Sequence, residues 1–375
     1  MRVVIAPDKF KGSLEAPGVA AALAAGIRDV VPDAVCVLVP MADGGDGTVA
    51  AFLAAGARSV SVVVPGPLGR PVQAEYARDG DTAIMEMAAA SGLAVEAARE
   101  PRQASTAGTG VMLRDALERQ ARRIVLGIGG SATTDGGAGA LAALGARFFD
   151  RAGAALTATP AGLADVAKVD LSGLDPRLAA VDLAVACDVD NPLLGPNGAA
   201  AVYGPQKGAR PEDVTFLNDV LARLADAMQA ATGRDLRNVP GAGAAGGLGW
   251  ALASACGARL ERGVQLVAEV RGLPGALQGA DWCFTGEGRI DSQTLRGKVV
   301  DGVGQLSAAA KVPVVAFGGS VDPAAEVALR ARGVPCFPIA PGPITFEAAL
   351  RDTALHLRAA AARVTELIRA EADSA

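Results

Sequence analysis

Ala280-Asp281-Trp282-Cys283-Phe284-Thr285-Gly286-Glu287-Gly288-Arg289-Ile290-Asp291-Ser292-Gln293-Thr294-Leu295-Arg296-Gly297-Lys298 decides how this chain folds. Residues 280–285 read as a buried strand, and the glycines, acids and cations after them as a loop feeding a helix that reaches about residue 310. A strand over 312–317 with the loop Gly318-Gly319-Ser320, a helix, a strand over 335–340 and a last helix from about 346 to 371 follow. Leu350, Leu357, Val364 and Ile368 form the apolar stripe of that last helix. The chain opens with the same rhythm: a strand over 2–8, a helix from about residue 14 to 30 with Ser13 as its N-cap, a strand over 35–41, and a helix over 48–56. Between these ends the pattern changes. Residues 59–64, 72–78 and 82–87 read as a meander turned at Pro65-Gly66-Pro67-Leu68-Gly69-Arg70-Pro71, which suits antiparallel pairing. The expectation is an α/β chain: residues 1–62 and 276–375 form one discontinuous parallel-sheet domain, and residues 63–275 form an inserted mixed α/β domain. Loops at the strand ends then line a cleft between the two.

Composition narrows the function. The chain has 375 residues, 51% apolar and 20% charged, so it has enough material for more than one core. Aromatics are only 3%, which leaves Ala, Val and Leu to build those cores, and 47 glycines imply many tight turns and close backbone approaches. The net charge is −5 and no basic patch carries interleaved aromatics, so nucleic acid is not an expected partner. No long uncharged apolar run suggests a membrane span, and the opening Met1-Arg2-Val3-Val4-Ile5 reads as a strand rather than a signal peptide. The 5 cysteines are widely spaced and read as reduced thiols of a cytoplasmic protein. The one histidine, His356, falls in a helical run. Acid–base chemistry therefore falls to Asp, Glu or Lys, and a Ser-His-Asp triad or a His-ligated zinc is excluded.

Five loops at strand ends carry the candidate chemistry: residues 8–13, 43–48, 127–139, 188–191 and 286–298. The third, Gly127-Ile128-Gly129-Gly130-Ser131-Ala132-Thr133-Thr134-Asp135-Gly136-Gly137-Ala138-Gly139, follows the apolar run 123–126 and precedes a helix. Its glycines and hydroxyls fit a phosphate-handling loop, or simply a tight strand-to-helix turn. Together the loops supply glycines, hydroxyls, carboxylates and cations. Phosphoryl transfer uses that set: donors and cations on the phosphoryl, carboxylates on Mg²⁺, and one carboxylate at the alcohol. Gly241-Ala242-Gly243-Ala244-Ala245-Gly246 matches a dinucleotide fingerprint but follows no buried strand, so it reads as a packing turn or a cavity wall. No Walker A sequence occurs.

Asp8-Lys9-Phe10-Lys11-Gly12-Ser13, Ala42-Asp43-Gly44-Gly45-Asp46-Gly47-Thr48, the Gly127–Gly137 stretch, Cys187-Asp188-Val189-Asp190-Asn191-Pro192-Leu193 and Thr285-Gly286-Glu287-Gly288-Arg289-Ile290-Asp291 together resemble the bacterial type-1 glycerate kinases. The resemblance spans the chain in order. It implies ATP-dependent, Mg²⁺-assisted phosphorylation of D-glycerate to 2-phosphoglycerate, a flavodoxin-like domain from the two chain ends, and an inserted domain with a mixed sheet. On that basis Asp188, Asp43 and Lys9 are the candidate catalytic residues. Lys11, Ser13, Asp8, Asp46, Arg289 and Asp291 are candidates for substrate binding. Gly129, Gly130, Ser131, Thr134, Asp135, Glu287 and Lys298 are candidates for ATP binding, and Asp190 with Asp188 for the metal. Either Asp188 or Asp43 stands beside the reacting hydroxyl, and Lys298 is either a phosphate ligand or a solvated helix residue. The partners expected are D-glycerate and ATP, with a monomer or homodimer as the assembly. The alternatives are a kinase giving 3-phosphoglycerate or acting on another small hydroxy acid, and a non-catalytic hydroxy-acid sensor.

Overall fold

The computed structural model describes residues 1–45 and 47–372. Its strands in chain order are β1 (Arg2–Ile5), β2 (Val35–Leu38), β3 (Arg58–Pro65), β4 (Pro71–Asp79), β5 (Thr82–Glu86), β6 (Arg123–Gly127), β7 (Arg147–Phe149), β8 (Lys168–Asp170), β9 (Asp182–Ala186), β10 (Arg259–Glu261), β11 (Trp282–Ile290), β12 (Val314–Val321) and β13 (Cys336–Pro338). Two compact units emerge, one of Met1–Asp43 with the chain from Arg262 onward, the other Gly44–Glu261.

The first unit is a five-stranded sheet in the order β13-β12-β11-β1-β2, parallel throughout. Numbered within the unit, that order is the 2-1-3-4-5 of flavodoxin-like folds. The order reverses between β1 and β11, where Val3, Val4 and Ile5 pair with Trp282, Cys283 and Phe284. Val3, Ile5, Phe284, Val315 and Phe317 fill the core with Leu23 and Ile27 of the helix Ala16–Val30 and with Leu357 and Ala361 of the helix Thr353–Ala372. Phe284 and Phe317 pack against each other in it, with ring centroids 5.3 Å apart. Arg358 and Asp29 tie the two helices at 2.6 Å.

The second unit carries a six-stranded sheet in the order β10-β9-β6-β5-β4-β3. Strands β10, β9, β6 and β5 are parallel, and β4 and β3 add an antiparallel edge. Its core holds Tyr76, Met112, Leu126, Phe148, Val185 and Trp250. The helix Pro211–Thr232 buries Leu217, Leu221, Leu224 and Met228 on the stripe its sequence spacing predicts, and Val214 packs at its margin.

Four local expectations change. The units divide at residues 43/44 and 261/262, not at 62/63 and 275/276. The cause is pairing: Arg58 to Val62 ladder with Arg78 to Ala74 in the second unit, while Val264 of the helix Gly263–Val270 packs on Gly302 in the first. Strand β11 does not stop at Thr285. It runs through Glu287 and Arg289, which pair with Gly318 and Ser320 of an equally extended β12, so both Gly-rich segments join the ladder. The first helix begins at Ala16 with Glu15 as its N-cap, and the Ser13 hydroxyl instead donates to the Leu350 carbonyl at 3.0 Å. The last helix is two, Phe346–Arg351 and Thr353–Ala372, broken at Asp352.

Candidate active site

In the first unit the site is built on the carboxyl ends of neighbouring parallel strands. Asp8 lies just past β1, and its N–H donates to the Gly286 carbonyl of β11 at 2.8 Å. Its own Oδ1 accepts the Lys9 N–H at 2.7 Å. Glu287 is the next residue on β11 and is buried, with its Oε1 accepting the Thr294 hydroxyl. Thr294 Oγ1 in turn accepts the Asp291 N–H at 3.0 Å, and Asp291 Oδ1 accepts the Gln293 N–H at 2.8 Å. A single turn after β11 thus orients the Glu287 carboxyl. Lys298 is the N-cap of the helix Val299–Ala309. The ends of β1 and β11 flank the point where strand order reverses, which is where open α/β sheets bind ligands.

Electrostatics set this pair apart. Burial, aided by the charge of Asp43, pushes Asp8 up to about 7, against the opposing hydrogen bond from Lys9 and the charges of Lys9 and Lys298. Burial likewise pushes Glu287 up to about 7, with the Thr294 hydroxyl opposing it, the Asp8 charge adding to it and the Lys298 charge again opposing. Two neighbouring acids, one buried and one half-buried, resist ionising together, and acids tuned near neutrality suit proton transfer at physiological pH. Asp8, Asp43, Glu287 and Lys298 therefore interact as one charge cluster, and Lys9 belongs to it. Arg289 is exposed and pairs with Asp291 at 3.1 Å. Lys11 is exposed, and Ser13 is turned to Leu350 and Thr353. Asp46 lies outside the described residues.

In the second unit the parallel strands β5, β6 and β9 end in register, Glu86 beside Gly127 and Gly127 beside Ala186. The loop after β6 presents only part of itself: Gly129 and Gly130 are exposed, and the rest of the loop to Gly139 is buried. The Gly130 carbonyl accepts the Leu93 N–H at 2.9 Å, and the Ala132 N–H donates to the Ser91 carbonyl at 2.9 Å. Ser131 is 7% exposed and Thr134 1%. Asp135 is wholly buried and serves the chain itself. Its Oδ2 accepts the Thr106 N–H at 2.7 Å, the Thr106 hydroxyl at 2.8 Å and the Gly139 N–H at 3.1 Å, while Oδ1 accepts the Gly137 N–H at 3.1 Å. Burial raises its carboxyl, against those four hydrogen bonds. Lys207, also buried, donates to the Thr133 carbonyl at 2.6 Å; burial draws its ammonium down to about 7, opposed by the charge of Asp135.

The loop after β9 exposes Asp188 and Asp190. Asn191 holds its far end, donating to the Asn197 carbonyl at 2.9 Å and accepting the Tyr203 hydroxyl at 2.6 Å. The dinucleotide-like Gly241–Gly246 stretch is a packing turn. Gly243 N–H donates to the Asn191 carbonyl at 2.9 Å, and the Gly246 carbonyl accepts the Gly136 N–H at 2.9 Å. Gly246 has φ +68°, and a Cβ there meets the Thr133 carbonyl oxygen at 2.2 Å, so only glycine fits between the two loops. Among the described residues no group of three or more His, Cys, Asp and Glu side chains forms a metal cage. Two exposed carboxylates fit Mg²⁺ all the same, because that ion is commonly held by one or two carboxylates and the phosphates of its substrate.

Sequence inspection passed over two residues that the structure brings forward. Thr294 orients Glu287, and its only trace in the sequence is the Asp-x-x-Thr turn spacing from Asp291. Glu86 ends β5, and its Oε1 accepts the Val49 N–H at 2.8 Å. Its signal was a carboxylate closing an apolar strand.

The chain is similar to known proteins along nearly all its length. A family model described as the glycerate kinase family matches residues 3–369. The chain is 43% identical over 374 residues to a glycerate kinase of Bacillus subtilis strain 168, with 98% of each chain covered. It is 46% identical over 327 residues to the glycerate 2-kinase of Escherichia coli K12, with 86% of each covered. The crystal structure of a provisionally assigned glycerate kinase 2 from Salmonella typhimurium LT2 matches with a TM-score of 0.89 at 44% identity, covering 100% of this chain and 99% of that one. The chain belongs to the glycerate kinase family, and it is an enzyme of that class, a phosphotransferase acting on an alcohol group.

The buried role of Asp135 has a direct consequence. Asp135→Ala strands three backbone N–H groups, the Thr106 hydroxyl and the Lys207 ammonium without their acceptor or counter-charge, and is expected to cost about 3 kcal/mol or more. Urea unfolding followed by circular dichroism checks this. A loss under about 1 kcal/mol contradicts the buried role, since surface substitutions typically fall in that range.

Proposed function

We propose that the protein transfers the γ-phosphoryl of ATP to the 2-hydroxyl of D-glycerate, giving 2-phosphoglycerate, with Mg²⁺ bound through Asp188 and Asp190. Membership of the family supports the reaction class, and the name of the Escherichia coli relative supports the 2-position. The observation that carries the chemistry is the half-buried Asp8 beside the buried Glu287 at the strand-order reversal, with Lys298 acting on both. One member of the pair, deprotonated near neutral pH, accepts the proton of the substrate hydroxyl. Repulsion between the two acids makes that proton uptake favourable, because the pair holds one proton more readily than two negative charges. Lys9, Lys11 and Lys298 supply positive charge for the glycerate carboxylate or for phosphate oxygens. Asp43 raises the basicity of Asp8 through its charge. Asp188 and Asp190 would hold Mg²⁺, which would supply positive charge against the phosphate oxygens.

This assignment moves the proton-accepting role from Asp188 or Asp43, where the sequence pattern suggested it, to Asp8 or Glu287. Asp188 lies on an exposed loop, whereas Glu287 is buried and Asp8 is held beside it, both with carboxyls pushed up to about 7.

The test has two parts. Phosphorus NMR of a reaction with ATP, Mg²⁺ and D-glycerate is expected to show the 2-phosphate ester appearing with ADP; a 3-phosphate ester, or no transfer, overturns the proposal. The pH profile of kcat/KM is expected to rise through about pH 7, because the base must lose its proton to act. Asp8→Asn is expected to lower kcat by about a hundredfold, in line with the loss of a general base. The same variant is expected to be more stable than the parent at pH 8. The sign follows from the raised pKa. Folding favours the neutral acid, so stability falls as pH climbs from the ordinary 3.8 toward about 7, and the neutral amide escapes that loss. A variant that is both slower and less stable at pH 8 contradicts the assignment.

A further inference from the structure

The second unit contains a cavity of about 240 Å³ lined by Gly45, Glu86, Ala88, Leu93, Ala94 and the Gly127, Gly129 and Gly130 backbone. It opens at the carboxyl ends of β5 and β6, where Glu86 and Gly127 stand in register. Glycine and alanine give it flat walls, and Leu93 adds the one large apolar side chain. Among the described residues of the lining Glu86 is the one charged residue, and the Val49 N–H donates to its Oε1 and helps hold the carboxyl in place.

These features select a ligand. No cation is among the described residues of the lining, so a triphosphate tail or the carboxylate of a three-carbon acid finds no counter-charge from them and faces Glu86. A three-carbon hydroxy acid is also too small and too polar to use the Leu93 and Ala88 walls. A flat heterocycle on a sugar suits both. Its ring covers glycine backbone and small apolar side chains, and a sugar diol offers two adjacent O–H donors to one carboxylate. The adenine edge, by contrast, presents a donor beside an acceptor, and the acceptor repels a carboxylate.

We propose that this cavity is the nucleoside subsite of the enzyme, with the base against Leu93, Ala88 and the Gly129–Gly130 backbone and the ribose hydroxyls on Glu86. The inference rests on ATP being the phosphoryl donor. It assigns to Gly129 and Gly130 the nucleoside part of the nucleotide and leaves the phosphates to other groups.

Gly129 makes a clean test. Its φ lies outside the left-handed region, and an added Cβ meets nothing nearer than the Gly45 Cα at 3.9 Å. A side chain there enters the cavity without straining the loop. Titration calorimetry with ADP, 2′-deoxy-ADP and D-glycerate on the wild type, Gly129→Val and Glu86→Gln separates the possibilities, with Gly129→Ala as a milder variant should valine impair folding. Gly129→Val is expected to weaken ADP at least about tenfold, a loss of about 1.4 kcal/mol, while D-glycerate affinity stays within about twofold. The wild type is expected to prefer ADP over 2′-deoxy-ADP by about tenfold or more, as expected for one hydrogen bond to a charged carboxylate, and Glu86→Gln to lose most of that preference. Unchanged ADP binding by Gly129→Val overturns the subsite alone. Loss of D-glycerate binding instead, or equal loss of both, also overturns it and gives the cavity to the acceptor or to folding. A wild type that binds no ADP overturns the donor assignment itself.

Discussion

Holding two carboxyl groups side by side at the ends of neighbouring strands, Glu287 buried and Asp8 half-buried, is the constraint on which the first unit turns. Parallel strands in the order 2-1-3-4-5 leave a gap in helix cover where the order reverses, and Asp8 and Glu287 occupy the two strand ends that flank it. Their burial costs stability, since neither acid is easily ionised there. The fold offsets that cost locally. The Lys9 amide and the Thr294 hydroxyl donate to the pair, and Lys298 adds its charge from a helix N-cap. An arrangement that opposes folding yet is held this tightly is what a proton-transfer site needs.

The second unit solves a different problem with similar residues. The loop after β6 is rich in glycine and hydroxyls, which on composition suits an anion. In the structure most of those groups turn inward. Asp135 accepts four hydrogen bonds from its own chain, Lys207 braces the Thr133 carbonyl, and a glycine turn fills the space behind. What remains outside is the Gly129–Gly130 backbone. The interior of the loop is spent on holding that exposed corner still.

Much of the fold was legible because it rests on periodicity. The β–α rhythm at both chain ends marked one discontinuous parallel domain, and the meander after residue 57 marked the antiparallel edge of the other sheet. Boundaries were less legible. Nothing in residues 58–62 says that their partners lie at 74–78, and Gly286–Arg289 looks like a loop until β12 supplies its ladder. At the site, sequence marked the residue types but not their direction. Ser13 and Asp135 carry the expected chemistry, yet packing turns Ser13 to Leu350 and encloses Asp135. Asp8 and Glu287 stand 279 positions apart, so their coupling appears only when β1 and β11 pair.

The most direct test of that coupling is a carbon-13 NMR titration of the Asp8 and Glu287 carboxyls in the parent and of Glu287 in Asp8→Asn. Both carboxyls are predicted to titrate near 7 in the parent, and Glu287 to shift downward once the charge at position 8 is gone. Titration of both groups at the ordinary carboxylate values of 3.8 and 4.5, or a Glu287 unmoved by the change at Asp8, contradicts the coupled pair.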